Sequence, residues 1–234
     1  MKVSVVTPTF NEAQNIALLI RELERVLTDV DYEIIVSDDN SPDRTWAVAE
    51  EISRANPRVR VVRRTANRAL GWSVIDGFNI ANGELLACID ADLQHDPAIL
   101  PQMLEDVSHG SDLVVGSRYI RGGSFGEWGV LRKGASWIAT RLAKWLTGIK
   151  LSDPMSGYFV LRHRDFLRIS HHLNGRGFKI LLEIASRLPG ARISEIPYHF
   201  GIRKAGKSKL SRAVMFAYLR QLWQLHRSKV HGLH

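Results

Sequence analysis

Residues 85–94 read Leu-Leu-Ala-Cys-Ile-Asp-Ala-Asp-Leu-Gln. The first five, Leu85–Ile89, form a short continuous apolar run, which predicts a strand buried on both faces. The run leads straight into Asp90 and Asp92, two carboxylates at i and i+2, with Gln94 one further step of two along. In an extended chain these three share a face. Neighbouring carboxylates repel, and a divalent cation with hard oxygen ligands removes that cost. Asp90, Asp92 and Gln94 are therefore candidate ligands for Mg2+ or Mn2+ bridging a diphosphate. A solvated acidic loop is the plain alternative.

Outward from this stretch, strand and helix patterns alternate. Towards the N-terminus, Val3–Pro8, Tyr32–Ser37 and Val59–Val62 read as strands. Ala13–Leu27, Thr45–Asn56 and Leu70–Asn82 read as helices, the first capped by Asn11 and the third ended by Gly83. Towards the C-terminus, Pro97–Ser108 reads as a helix and Leu113–Gly116 as a strand. The alternation predicts an α/β fold: an open, mostly parallel sheet with helices on both faces. Ligands of such sheets bind beyond the carboxyl ends of the strands. Ser37-Asp38-Asp39-Asn40-Ser41-Pro42-Asp43 occupies that position after the second strand. A carboxylate there accepts hydrogen bonds from a ribose or a base edge, or closes an Asx turn. No glycine-rich dinucleotide fingerprint and no phosphate loop is present, which disfavours NAD enzymes and P-loop hydrolases.

The chain has 234 residues, 45% hydrophobic and 24% charged, which excludes disordered and low-complexity classes. Cys88 is the single cysteine, so no intramolecular disulfide framework exists. The N-terminal apolar run is too short for a signal peptide, and no uninterrupted apolar stretch of 18 residues occurs. The expectation is a cytoplasmic protein, free or loosely attached to a membrane. Charge is asymmetric: residues 1–117 carry 10 Lys+Arg against 19 Asp+Glu, residues 118–234 carry 22 against 5. An acidic front half suits a cation, and a basic back half suits phosphate groups, nucleic acid or an anionic membrane surface.

After Ser117 the regular alternation breaks at the glycine-rich loop Gly122–Gly129. Trp128, Leu131, Ala135, Ile138, Leu142, Trp145 and Ile149 then recur at spacings of three and four, one apolar helical face, with Arg132, Lys133, Arg141 and Lys144 off it. Such a helix lies in a membrane interface or packs on the domain core. Leu210–Leu225 is a second candidate, with Trp223. Gly116-Ser117-Arg118 and the cluster Arg203, Lys204, Lys207 and Lys209 suit phosphate binding, or form exposed basic loops. The nine histidines lack metal-ligand spacing with cysteine; His95, beside the acidic motif, is the one that stands out.

VSVVTPTFNEAQNI, IIVSDDNSPDRT, IDADLQHDP and VVGSRYIRGG together resemble the inverting family 2 glycosyltransferases of GT-A fold. DPMSGYFVLRHR (residues 153–164), GFKILLEI (177–184) and YHFGIRKAGKSKL (198–210) are similar to the dolichol-phosphate mannose synthases within that family. The resemblance implies one GT-A domain over residues 1–234, with 1–117 the nucleotide half and 118–234 the acceptor and membrane-interface half. It implies that Pro8, Phe10, Glu12 and Asp39 meet the donor nucleoside, with Ser37 adding a backbone contact. Asp90, Ala91, Asp92 and Gln94 form the metal and diphosphate site. Arg118 and Arg132 meet the acceptor phosphate, and Arg203 and Lys209 clamp donor and acceptor phosphates. Asp92, Arg118, Arg132, Arg203 and Lys209 would be the catalytic set. The implied reaction is metal-dependent transfer of mannose from GDP-mannose to a polyprenyl or dolichyl phosphate. The implied location is the cytoplasmic face of a membrane, reached through amphipathic helices or a small membrane-protein partner. Transfer from UDP-glucose or another UDP-hexose to undecaprenyl phosphate is the alternative within the fold. A non-catalytic basic module for nucleic acid or membrane is the alternative outside it, and missing RNA-binding and zinc motifs argue against nucleic acid. Arg68-Ala69-Leu70-Gly71-Trp72 stands where related enzymes carry a Lys-Gly-Leu-Gly-like stretch.

Overall fold

The computed structural model describes residues 1–126, 129–175, 179–202, 218, 220–225 and 227; for 130–133 and 135 it describes the backbone course alone. A seven-stranded sheet forms the centre, in the order β3-β2-β1-β4-β6-β5-β7. Its strands are β1 (Val3–Thr9), β2 (Tyr32–Asp38), β3 (Val59–Arg63), β4 (Leu85–Cys88), β5 (Leu113–Ser117), β6 (Phe159–Arg162) and β7 (Ile193–Pro197). The helices are α1 (Ile16–Val26), α2 (Thr45–Ala55), α3 (Leu70–Asn79), α4 (Leu100–Ser108), α5 (Val130–Thr147), α6 (His163–Ile169) and α7 (Ile180–Ser186). β1, β2, β3 and β4 pair in parallel, as do β5 and β7. β6 alone runs the other way, antiparallel to both β4 and β5. The sheet is thus mostly parallel, as expected, with one reversed strand that the sequence pattern does not reveal.

Both faces of the sheet are covered, which explains the runs without polar alternation in β1, β2 and β5. On one side α1, α2 and α4 pack Ile16, Leu19, Leu23, Ala49, Met103 and Val107 over Val5, Ile34 and Ala87. On the other, α3, α6 and α7 pack Phe78, Phe166 and Leu181 over Val6, Ile35 and Val115. Phe78 meets Phe159 and Phe166 edge-on, at ring-centroid separations of 6.3 and 5.2 Å. Helix α3 lies so close to β1 that a Cβ on Gly77 would sit 2.4 Å from Val6 Cγ1. A third cluster joins Ala143 and Leu142 of α5 to Met155, Leu182, Tyr218, Leu222 and Leu225.

Three boundaries differ from the sequence reading. Helix α1 begins at Ile16, and Asn11 does not cap it. Asn11 adopts a left-handed conformation (φ 58°) and its amide donates to Ser41 Oγ at 3.0 Å, because the chain first turns along the sheet edge. Helix α3 ends at Asn79, and the Asn82 amide is held by the buried Glu33 carboxylate at 2.6 Å. The helix predicted from Pro97 opens with a 3-10 turn, Pro97–Ile99, in which Asp96 accepts from the Ala98 amide at 2.9 Å.

The stripe predicted along residues 128–149 divides. Of its members, Leu142 and Ile149 pack inward, whereas Ile138 and Trp145 are exposed, as is the neighbouring Trp137. The inward face is Ala139, Leu142, Ala143 and Leu146, one position round from the stripe the spacing suggested. Gly148, at φ 72°, closes the helix with its amide on the Lys144 carbonyl. Tyr218 and Leu222 of the second predicted helix pack on this face, while Trp223 points outward. No described helix is long and apolar enough to cross a membrane.

Candidate active site

The loops leaving the carboxyl ends of β1 to β4 carry every described non-glycine residue with positive φ: Asn11, Asn40, Arg44, Asn67 and Leu93. Asparagine tolerates that conformation, but leucine does so at a cost of about 1–2 kcal/mol. Leu93 lies between Asp92 and Gln94, so the backbone is bent where the candidate ligands sit.

The acidic run after β2 separates into different tasks. Asp38 is fully buried and accepts from Thr9 Oγ1 (2.7 Å), the Ser41 amide (2.8 Å) and Ser41 Oγ (2.6 Å). Asp43 accepts from the Thr45 amide and hydroxyl at 3.0 and 2.6 Å, and from the Ala13 amide at 3.0 Å. Both are turn-forming groups. Asp39 instead meets the Arg64 guanidinium, which also reaches Asp76 at 2.7 Å and the Asn67 carbonyl at 3.1 Å. Ser37 is fully buried within β2, and its carbonyl accepts from Ser73 Oγ at 3.0 Å. Its side chain therefore lies within the sheet, which leaves the backbone as the part that can meet a ligand. Its partner in register is Pro8, also buried.

In the loop after the adjacent strand β1, Glu12 is buried, anchored by its amide on Thr45 Oγ1 (2.9 Å) and by Asn15 Nδ2 on its carboxylate (2.8 Å). Phe10 is half-buried beneath Arg68, whose guanidinium carbon stands 3.9 Å from the ring centroid. Arg68 Nε also donates to the Asp39 carbonyl at 3.3 Å. Trp72 turns away from this edge. Its ring packs on Gly175, where a Cβ would come within 2.4 Å of the indole, and its amide donates to the Gly175 carbonyl.

Past β4, the Ile89 amide still pairs with the Val6 carbonyl, and Asp90 then reaches the edge with its side chain 31% exposed. Ala91 is in the core, and Asp92 is buried, accepting from the Gln94 amide at 3.2 Å. Gln94 donates its side-chain amide to the Gly201 carbonyl at 2.9 Å, while the Gly201 amide returns a bond to the Gln94 carbonyl at 2.7 Å. His95 is buried behind Asp90, with Nε2 at 3.4 Å from Asp90 Oδ2. Gly157 packs against the same carboxylate: a Cβ there would lie 2.2 Å from Oδ2. Among the described residues no group of three or more His, Cys, Asp or Glu side chains could hold a metal alone. Two carboxylates and an amide oxygen are hard donors, suited to a cation that takes its other ligands from phosphate and water. The residues therefore fit Mg2+ or Mn2+.

The back half meets this edge through Arg118, the first residue after β5. Its Nε and Nη2 fork onto the fully buried Asp153 at 2.6 and 2.7 Å. Burial works against the Arg118 charge, but Asp153 outweighs it and holds the guanidinium above its ordinary value. The Ser152 and Asp153 amides are fixed in turn by Glu195 of β7, at 2.8 and 3.2 Å. Arg118 also lies over the Phe125 and Phe200 rings. Lys179 donates to the Met155 carbonyl at 3.2 Å. Burial pushes its ammonium down from the ordinary value and Arg118 adds to that, while Asp90 and Asp153 oppose it.

The structure thus gathers Pro8, Phe10, Glu12, Asp39, Asp90, Ala91, Asp92, Gln94 and Arg118 along one edge. Arg203, Lys204, Lys207, Lys209 and Trp128 lie outside the described residues, as does the Arg132 side chain. Asp153, Lys179, Arg64 and Tyr198 escaped residue-by-residue reading. A lone lysine or aspartate in a motif carries no signal until the fold supplies its neighbours.

The glycosyl transferase family 2 model matches residues 4–169. The dolichol-phosphate mannosyltransferase of Pyrococcus furiosus is 42% identical over 229 residues, covering 96% of this chain and 64% of that protein. The chain thus spans less than two thirds of that relative's length. The dolichol-phosphate mannosyltransferase of Mycosarcoma maydis is 37% identical over 233 residues, covering 96% of this chain and 79% of that protein. Among solved structures, the chain is similar to glucosyl-3-phosphoglycerate synthase from Mycobacterium tuberculosis in complex with Mn2+, UDP-glucose and phosphoglyceric acid. The TM-score is 0.67 at 20% identity, covering 97% of this chain and 79% of that one, a likeness of GT-A fold. With the family model spanning most of the sheet and its carboxyl-edge loops, the chain belongs to glycosyl transferase family 2.

Proposed function

We propose that this family 2 glycosyltransferase moves mannose from GDP-mannose to the phosphate of a polyprenyl phosphate of dolichyl type, inverting the anomeric carbon. The names of its relatives support the reaction class. The observation that carries the reading is the placement of Glu12, Asp39, Asp90 and Asp92 at the carboxyl ends of β1, β2 and β4, three neighbouring strands.

In this reading Pro8 and Phe10 wall the nucleoside, and Glu12 and Asp39 accept its hydrogen bonds. Asp90, Asp92 and Gln94 hold Mg2+ or Mn2+, which supplies positive charge beside the diphosphate. The acceptor phosphate is already anionic near neutral pH, so the exchange needs no strong general base. One phosphate oxygen bonds to the anomeric carbon as the bond from that carbon to the GDP oxygen breaks, and the electron pair leaves with GDP. Arg132 orients the acceptor phosphate, and Arg203 and Lys209 clamp the two anions. Arg118, its fork engaged by Asp153, adds positive field on the acceptor side. The exposed Trp137, Ile138, Trp145 and Trp223, with exposed Arg141, Lys144 and Arg227, form the face that rests on the cytoplasmic surface of a membrane.

The test is transfer of radiolabelled sugar to a short dolichyl phosphate, with GDP-mannose and UDP-glucose as matched donors. Transfer from GDP-mannose that stops on chelation is the expected result. Transfer from UDP-glucose alone, or transfer untouched by chelator, would overturn the assignment.

A further inference from the structure

His95 sits at the junction of the two halves of the site. Its imidazole is buried, with Nε2 3.4 Å from Asp90 Oδ2 and Nδ1 2.8 Å from the Tyr198 hydroxyl. The ring stacks on Tyr198 with a centroid separation of 5.4 Å and 28° between planes. Tyr158 and Phe200 meet it edge-on at 5.6 and 5.3 Å. Such packing leaves the imidazole little freedom to rotate. Burial pushes the Tyr198 phenol well above its ordinary value, so its hydroxyl keeps its proton. The two ring nitrogens thus face opposite ways, Nδ1 to the Tyr198 hydroxyl and Nε2 to the Asp90 carboxylate.

Tyr198 is also the first residue beyond β7. Its amide donates to the Ser117 carbonyl and its carbonyl accepts from the Ser124 amide, which pins the exit of β7 to the chain leaving β5. Two residues on, Phe200 donates to the Ser124 carbonyl, and Gly201 pairs with Gln94. The acidic loop and the segment leading to Arg203 are therefore joined at two points, His95–Tyr198 and Gln94–Gly201.

We propose that His95 is a positioning residue: braced by Tyr198, it fixes the Asp90 carboxylate in the orientation that receives a divalent cation and registers the acidic loop against the chain leaving β7. This rests on the cation reading above and adds a residue to it. An outer group of this kind is worth about 10–100-fold in metal affinity when removed.

The experiment titrates Mn2+ into the full chain, alone and with GDP, and follows the free Mn2+ signal by electron paramagnetic resonance. Wild type, His95→Phe, Tyr198→Phe and the double variant are compared, with circular dichroism and melting as fold controls. His95→Phe should bind Mn2+ about 10–100-fold more weakly. In transfer assays its kcat should recover towards wild type as Mn2+ is raised, which a general loss of structure would not allow. Tyr198→Phe, which keeps the ring and loses only the hydroxyl, should shift affinity the same way by a smaller factor. Its effect should vanish in the His95→Phe background, since the two act as one unit. If wild type takes up no Mn2+ with or without GDP, the cation reading fails and this inference with it. If wild type binds Mn2+ and folded His95→Phe binds it equally well, the inference alone fails. Should His95→Phe not fold, Tyr198→Phe decides, and unchanged affinity there overturns the role.

Discussion

Each half of the molecule sets an arginine on an aspartate at the sheet edge, and the two pairs are built differently. In the front half Arg64 divides itself between Asp39, Asp76 and the Asn67 carbonyl, and Asp76 is 42% exposed. In the back half Arg118 gives both prongs to Asp153, which is fully buried and fixed by Glu195. A shared guanidinium can trade partners when a ligand arrives, whereas a bidentate buried pair cannot do so cheaply. In the proposed reading the front half presents carboxylates for a ligand. The back half spends the Asp153 carboxylate on rigidity, and its exposed cations and tryptophans face outward.

The strongest way to break this contrast is at the front edge. Asp92→Asn should cut the proposed mannosyl transfer by about a hundred- to a thousandfold, the scale of losing one charge-stabilising group, while leaving the melting temperature nearly unchanged. A single-turnover assay beside a melt checks it, and retained activity would move the chemistry elsewhere. Next comes the buried pair. Asp153→Ala strands the Arg118 charge in the interior and should cost about 3–5 kcal/mol in urea unfolding. The front counterpart, Asp76→Ala, should cost under about 1 kcal/mol because that partner is exposed. Equal costs would erase the distinction. On the outer face of α5, Trp145→Ser should leave stability within about 0.5 kcal/mol. The same change should weaken cosedimentation with anionic vesicles about tenfold, equivalent to about 1.4 kcal/mol. The smallest effect lies at Glu183 of α7. Burial pushes its carboxyl up from 4.5, against the Asn174 amide and Arg187, which pull it down. A raised folded value favours the protonated form, so this stabilisation is full below 4.5 and is lost as pH rises through the folded value. Urea melts of Glu183→Gln and wild type should therefore shift in favour of the variant as pH is raised from about 4 to about 7.

The front half was legible because each of its elements announces itself locally. Val3–Thr9, Tyr32–Asp38 and Leu85–Cys88 are apolar runs ended by polar turns, and β1 pairs in parallel with both of the others. Asp90 and Asp92 could be placed from that pattern alone. β6 could not, since Phe159–Arg162 is four residues long and its reversed direction depends on an opening between β4 and β5. The run Ser37–Asp43 shows the other limit. Asp38, Asp39 and Asp43 look alike in sequence, and only the fold separates two turn-formers from the one that faces Arg64. The helix stripe left two readings open, membrane interface or core; Ala139 and Ala143 let Tyr218 and Leu222 approach closely, which turns the packed face one position round and leaves Ile138 and Trp145 outside.

The reversed strand has a consequence for how such a protein can be divided. β4 and β5 both come from the first half of the chain, yet they touch only through β6, which comes from the second. The halves are interleaved rather than joined in tandem. A cut after Ser117 would leave the first fragment with a gap in its sheet and the second with the strand that fills it. Fragment complementation should work where either piece alone does not, and grafting a different acceptor half would mean rethreading the sheet.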